Sequence, residues 1–219
     1  MKIAPEGLPF IAIAVVIAVI GAYFSWRAFG VLFLLAIFVT AFFRDPFREI
    51  PQGEGLVVSP ADGKVVMIVP TPAGHAAGEG ATQISIFLSV FDVHINRAPV
   101  AGRVVRSIYV PGTFLNAALD KASEENERRC LIIATPAGTE IAVVQIAGLI
   151  ARRIVTFIRE GDTVGAGERY GLIRFGSRVD TYLPPGRGAL VAVGQRAIGG
   201  ETVLADLKSD EPEREARVQ

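Results

Sequence analysis

Arg27 is the only charged residue between Gly7 and Arg44, and that scarcity constrains the chain more than any other feature. Leu8 to Trp26 is a run of 19 residues without a charge. As a helix it would span roughly 28 Å, close to the hydrocarbon thickness of a bilayer. Ala28 to Phe43 adds 16 residues, short for a complete crossing. The pattern predicts a membrane helical hairpin over residues 1–43 that turns near Ser25 to Gly30, with Arg27 snorkelling to an interface. A shallower hairpin that never crosses is the second reading. A cleaved signal peptide fits poorly, since the apolar region far exceeds a signal core and no small-x-small cleavage site follows it. Lys2, Arg44 and Arg48 flank the hairpin. The positive-inside rule then puts both ends, and the rest of the chain, on the cytoplasmic side of the cell membrane.

Residues 44–55, within "FRDPFREIPQGEG", carry charges, prolines and glycines and read as a linker. From Leu56 the texture changes to short β-branched runs broken by Gly and Pro. Examples are "GKVVMIV", "QISIFLSV", "GRVVRSIYV", "CLIIAT", "EIAVVQIAG", "YGLIRF", "VDTYL" and "ALVAVG". Such spacing predicts a mainly β fold, with one compact β-rich domain over residues 56–207, rather than βαβ units. Thr71 to Ala81 reads as a Gly/Ala-rich loop. Leu115 to Arg129 has helical character without a good apolar stripe, so one helical turn in a loop fits equally. Residues 208–219 form a charged tail. A weak repeat links "GDTVGAGE" (Gly161 to Glu168) with "GQRAIGGE" (Gly194 to Glu201). Each reads as a glycine-punctuated turn leading into a strand, and the texture resembles the hairpins of lipoyl- or biotinyl-carrier domains. A carrier needs a lysine at an exposed hairpin tip, and the corresponding "RFGSRVD" has none.

Composition excludes several classes. Lys+Arg and Asp+Glu balance at 22 each, so no basic face points to nucleic acid. One cysteine, Cys130, rules out an internal disulfide and fits a reducing compartment. With two histidines and that single cysteine, no metal site is expected.

Three side chains are candidates for chemistry: Ser177 in "RFGSRVD", Asp62 in "SPADGKV" and His94 in "FDVHINRAPVAG". Taken singly, each has a plain structural reading. Asp62-Gly63 is a turn signal, His94 a hydrogen-bonded core histidine and Ser177 a turn serine. His75, the other histidine, falls in the glycine-rich loop. A serine hydrolase would draw the same three residues together. Its usual marker, G-x-S-x-G at a strand-to-helix elbow, is absent. A Gly-Ser bond held in β-structure suits another chemistry. The hydroxyl can attack the carbonyl of its own preceding residue, where glycine obstructs least. The resulting ester can lose its carboxylate by β-elimination, and hydrolysis leaves a pyruvoyl group at a new N-terminus. A histidine oriented by an aspartate suits the base. The pyruvoyl carbonyl then forms a Schiff base with a substrate amine and draws electrons for decarboxylation.

These motifs resemble the phosphatidylserine decarboxylase family, in its short bacterial and archaeal form. The resemblance runs from about Arg44 to Leu207. It rests on "SPADGKV", "IFLSVFDVHINRAPVAG", "GTFLNAALDKASEENERR", "GDTVGAGERYGLIRFGSRVDTYLP" and "VAVGQRAIGGETVLADL", in that order. It implies self-cleavage between Gly176 and Ser177, a pyruvoyl cofactor derived from Ser177, and an Asp62–His94–Ser177 set. Phosphatidylserine is the implied substrate and phosphatidylethanolamine the product. Longer members carry a second histidine three residues after the first, where this chain has Arg97. The cleavage and acid/base roles then fall to His94 alone or to His94 with Arg97. Arg97, Lys121 and Arg128 are the candidates for the lipid phosphate, each with solvated surface charge as the plain alternative. The partners expected are the lipid, the bilayer and the two chains made by cleavage, and a homo-oligomer is compatible with all of this. The competing readings are a membrane-anchored serine hydrolase and a carrier-like β-domain without catalysis.

Overall fold

Ser25 divides the apolar N-terminal run into two helices. Its backbone turns to φ −166 and ψ 137, and its hydroxyl accepts from Arg27 N–H at 3.2 Å, capping the second helix. The computed structural model describes residues 2–72, 79–113, 125–148, 153–174, 176–209, 211–212 and 214. The chain forms two units, Met1–Phe47 and Arg48–Gln219.

In the first unit, α1 (Leu8–Phe24) packs antiparallel-fashion against α2 (Trp26–Phe42). Gly21 allows the close approach, since a Cβ there would lie 2.5 Å from Leu32 Cδ1. Trp26, Phe29 and Phe33 stack along α2. Strands β1 (Lys2–Ile3) and β2 (Arg44–Asp45) pair antiparallel, so the hairpin's two ends meet. Pro5–Phe24 is long and apolar enough to cross a membrane, with mean hydropathy 2.4. Its apolar side chains point outward: Ile13, Val19 and Phe24 are all exposed.

In the second unit the strands are β3 (Leu56–Val58), β4 (Gly63–Pro70), β5 (Thr82–Leu88), β6 (Ile95–Arg97), β7 (Gly102–Val110), β8 (Arg128–Ala134), β9 (Glu140–Ile146), β10 (Ile154–Thr156), β11 (Thr163–Val164), β12 (Arg169–Ile173), β13 (Ser177–Leu183), β14 (Arg196–Ala197) and β15 (Val203–Asp206). An eight-stranded antiparallel sheet runs β11-β7-β8-β9-β13-β5-β4-β14. A three-stranded sheet, β10-β12-β6, and a pair, β15-β3, complete the domain. Register shifts in β4, β7 and β12 mark bulges, which raise the local twist and let the sheet curl. Alternation decides which side chains enter the core. Val179 and Leu183 of β13, Ile84, Ile86 and Leu88 of β5, and Val143 and Ile141 of β9 all join one buried cluster. Each such side chain contributes roughly 1.5–3 kcal/mol.

The weak repeat is structural. Gly161 N–H donates to Val104 O, and Asp162 O accepts from Val104 N–H. Gly194 and Gln195 make the same two bonds with Val65. Each repeat then supplies a two-residue strand to one edge of the large sheet, β11 on β7 and β14 on β4.

Two expectations change, one for a strand and one for a helical stretch. "ALVAVG" is no ladder strand: it bends, burying Ala189 and Val191 while Leu190 N–H bonds Leu204 O. The strands fall later, at β14 and β15. Arg128 and Arg129 belong to β8, not to a helical stretch. Residues 115–124 of that stretch, and 73–78 of the glycine-rich loop with His75, lie outside the described residues.

Candidate active site

β13 lies between β9 and β5, and all seven of its residues are buried. Ser177 opens it, opposite Leu88. The preceding Gly176 has φ +60, a left-handed conformation that costs other L-residues about 1–2 kcal/mol. Ser177 is fully buried, and its Oγ has no hydrogen-bond partner among the described residues. A buried hydroxyl left without a partner carries a desolvation penalty, so its placement calls for an explanation.

His94 supplies the neighbouring group. It immediately precedes β6, is 2% exposed, and accepts from Gly176 N–H at Nε2 over 3.3 Å. Its Nδ1 lies 3.0 Å from the Asp92 carbonyl oxygen. A carbonyl only accepts, so Nδ1 carries the proton and Nε2 the lone pair. Both contacts select the same tautomer, with the basic nitrogen turned toward the Gly176-Ser177 segment. The Asp92 backbone is itself held. Its carboxylate accepts from Ser89 N–H and Oγ at 2.8 and 2.7 Å and pairs with Arg196.

Asp62 has other partners. Arg48 Nη2 donates to its two oxygens at 2.9 and 2.8 Å, and Gly199 N–H donates at 2.8 Å. Among the described residues its hydrogen bonds do not include His94. The turn that carries Asp62 nevertheless touches the strand beside His94, because Arg97 N–H donates to Pro60 O. His94 is thus bonded to Gly176, the residue before Ser177, and the turn that carries Asp62 bonds the strand that follows His94.

The three phosphate candidates separate. Asn96 and Arg97, adjacent in β6, face opposite sides. Arg97 is 9% exposed, and its Nη1 donates to Gly167 O at 3.0 Å. Arg128 is half-buried in β8 opposite Ile146, which in turn lies opposite Arg178. That row faces away from Ser177. Lys121 lies outside the described residues.

Several residues of this region were not singled out from sequence. Arg178 and Asp180, both buried in β13, form a bidentate ion pair at 2.8 and 2.9 Å. Gln83 Nε2 adds a bond to Asp180 at 3.0 Å. Their spacing of two in a strand run was the available signal, since it puts opposite charges on one face. Gln145 and Asn96, bonded across the two sheets, are far apart in sequence and carry no such signal. In the sequence Arg48 shows only as a charge flanking the hairpin.

Residues 35–205 match the family model for phosphatidylserine decarboxylase. Among curated relatives, the phosphatidylserine decarboxylase proenzyme of Azorhizobium caulinodans is 57% identical, covering 92% of this chain and 87% of its own. The proenzymes of Xanthobacter autotrophicus and Zymomonas mobilis are 55% and 54% identical, covering 96% and 95% of this chain and 91% and 88% of theirs. The match spans the orphaned Ser177 hydroxyl, the left-handed Gly176 and the His94 imidazole alike, and the chain belongs to the phosphatidylserine decarboxylase family.

Proposed function

We propose that Ser177 cuts its own chain at Gly176 and becomes the pyruvoyl group with which this decarboxylase converts phosphatidylserine to phosphatidylethanolamine. The observation that carries the reading is the buried, unpartnered Ser177 Oγ that follows a left-handed glycine whose N–H donates to His94 Nε2.

Ser177 Oγ attacks the Gly176 carbonyl carbon while His94 Nε2 takes the hydroxyl proton. The Gly176–Ser177 C–N bond breaks, the proton passes to the freed amine, and an ester remains. Loss of the Cα proton of residue 177 expels Gly176 as a carboxylate by breaking the Cβ–Oγ bond. Water then displaces ammonia and leaves an α-keto acyl group at the head of β13. That group supplies the electron-accepting carbonyl for release of CO2. The strand ladders to β5 and β9 fix the reacting atoms, and such placement is worth several kcal/mol. The ring's Nδ1–H bond to Asp92 keeps Nε2 basic through the step.

The α1–α2 hairpin anchors the enzyme to the cell membrane, with the catalytic domain on the cytoplasmic face. Its exposed apolar surface supports this, as do Tyr23 and Trp26 at its tip, residue types favoured at membrane interfaces. Anchoring keeps the site at headgroup depth, where the lipid substrate stays.

Ser177→Ala tests the reading. The variant should remain a single chain and release no CO2 from phosphatidylserine vesicles, because no hydroxyl is left to attack. Splitting at residue 176 in that variant, or CO2 release from it, would refute the mechanism.

A further inference from the structure

A buried amide pair joins the two sheets close to Ser177. Gln145 Nε2, from β9, donates to Asn96 Oδ1, from β6, at 2.7 Å, and both residues are fully buried. Gly171 stands opposite Asn96 and makes room for the bridge. A Cβ there would lie 3.0 Å from Gln145 Nε2 and 2.5 Å from Val155 O. The bridge uses one donor and one acceptor. Asn96 Nδ2 and Gln145 Oε1 remain buried without a hydrogen-bond partner among the described residues. Core amides left open in this way are rare in folded proteins, so two on adjacent side chains point to a polar occupant.

Their position relates them to the reaction. Gln145 lies opposite Val179, which shares a face with Ser177 two residues away. Asn96 is two residues beyond His94. One same-face step along a strand is about 6.6 Å, so Val179, opposite Gln145, is one step from Ser177, and Asn96 follows His94 by two residues on the segment that enters β6.

We propose that Asn96 and Gln145 form the subsite for the α-amino-acid end of the serine headgroup, with Asn96 Nδ2 donating to its carboxylate and Gln145 Oε1 accepting from its amine. This rests on Ser177 as the reacting centre. A free donor beside a free acceptor complements a carboxylate and an ammonium carried on one carbon. The neutrality of the donor matters. The carboxylate loses its charge as CO2 departs, so a guanidinium would stabilise the ground state more than the transition state. An amide orients the same group while leaving its charge weakly compensated. The buried guanidinium of the adjacent Arg178 faces the other side of β13 and is already held by Asp180.

The test measures binding to the processed enzyme by calorimetry with two short-chain lipids. Phosphatidyl-3-hydroxypropionate keeps the carboxylate and lacks the amine, so it does not react; phosphatidylethanolamine keeps the amine and lacks the carboxylate. Asn96→Leu and Asn96→Asp should split normally at residue 176. Each should bind the carboxylate probe at least about tenfold more weakly, as loss of a buried hydrogen bond to a charged group implies, with the ethanolamine probe little changed. Asn96→Asp keeps the oxygen that Gln145 bonds, so it decides alone if the leucine variant does not fold. Unchanged binding of the carboxylate probe, equal weakening of both probes, or loss of splitting in both variants overturns the subsite. A wild-type chain that discriminates the probes without ever splitting overturns the Ser177 reading instead and leaves the subsite standing.

Discussion

A serine hydroxyl in a protein core is inert until a base takes its proton, and at residue scale the account turns on how that base is held. His94 is oriented by a backbone carbonyl, that of Asp92, and the Asp62 carboxylate is engaged by Arg48 and Gly199. Those bonds seat the Ser59–Asp62 turn, which bonds Arg97 N–H in the strand after His94, and we propose that Asp62 acts through this turn. Arg48 and Asp62 side chains are 8% and 15% exposed, so breaking the pair should cost toward the lower end of the 3–5 kcal/mol, roughly, seen for buried pairs. Asp62→Ala and Arg48→Ala should each slow self-cleavage, and the double variant should be little worse than either, since a broken pair cannot be broken twice. Following the uncleaved fraction over time measures this. If Arg48→Ala matures at the wild-type rate while Asp62→Ala does not, the carboxylate acts on the chemistry directly. Ser177, His94 and Asp62 were all legible as candidates in the sequence. Their partners were not, because a backbone carbonyl and a long-range arginine leave no local pattern.

At the scale of the element, the proposed cleavage requires β13 to keep its place once the peptide bond before Ser177 is cut. Ladders to β5 and β9 hold it, and the Arg178–Asp180–Gln83 cluster locks its buried outer face. An ion pair with both partners about fully buried is strongly disturbed when one member is lost. Asp180→Leu should therefore lower unfolding stability by about 3–5 kcal/mol in denaturant titration, and Arg178→Met added to it should recover most of the loss. No recovery in the double variant would mean that the cluster serves something other than mutual neutralisation. Strands with clear alternation, such as β8 and β9, were readable from the sequence because burial there follows a period of two. The glycine repeat was readable for a similar local reason, since each turn repeats its own hydrogen bonds. "ALVAVG" misled because an apolar run reports burial and not ladder pairing, and here the buried segment bends. The three-residue β6, which carries Asn96 and Arg97, is too short to show a period at all.

At the scale of the whole molecule, the proposed function assigns the two units separate tasks, membrane attachment and catalysis. Removing residues 1–43 should abolish tight association with vesicles and leave self-cleavage intact, as flotation and electrophoresis of the same sample would show. A truncated chain that fails to fold would mean that the hairpin contributes to the core. The apolar hairpin was the plainest feature of the sequence, because length and lack of charge suffice to recognise it. The bond between Gly176 and Ser177 was recognisable only through its setting of ordered motifs. All of the proposed chemistry begins at that bond. The most direct measurement is the intact mass of the purified wild-type chain under denaturing conditions. Two chains are expected, residues 1–176 and residues 177–219, the smaller lighter by one ammonia than a peptide beginning with serine. An active preparation consisting of one full-length chain, with Ser177 unaltered, would contradict it.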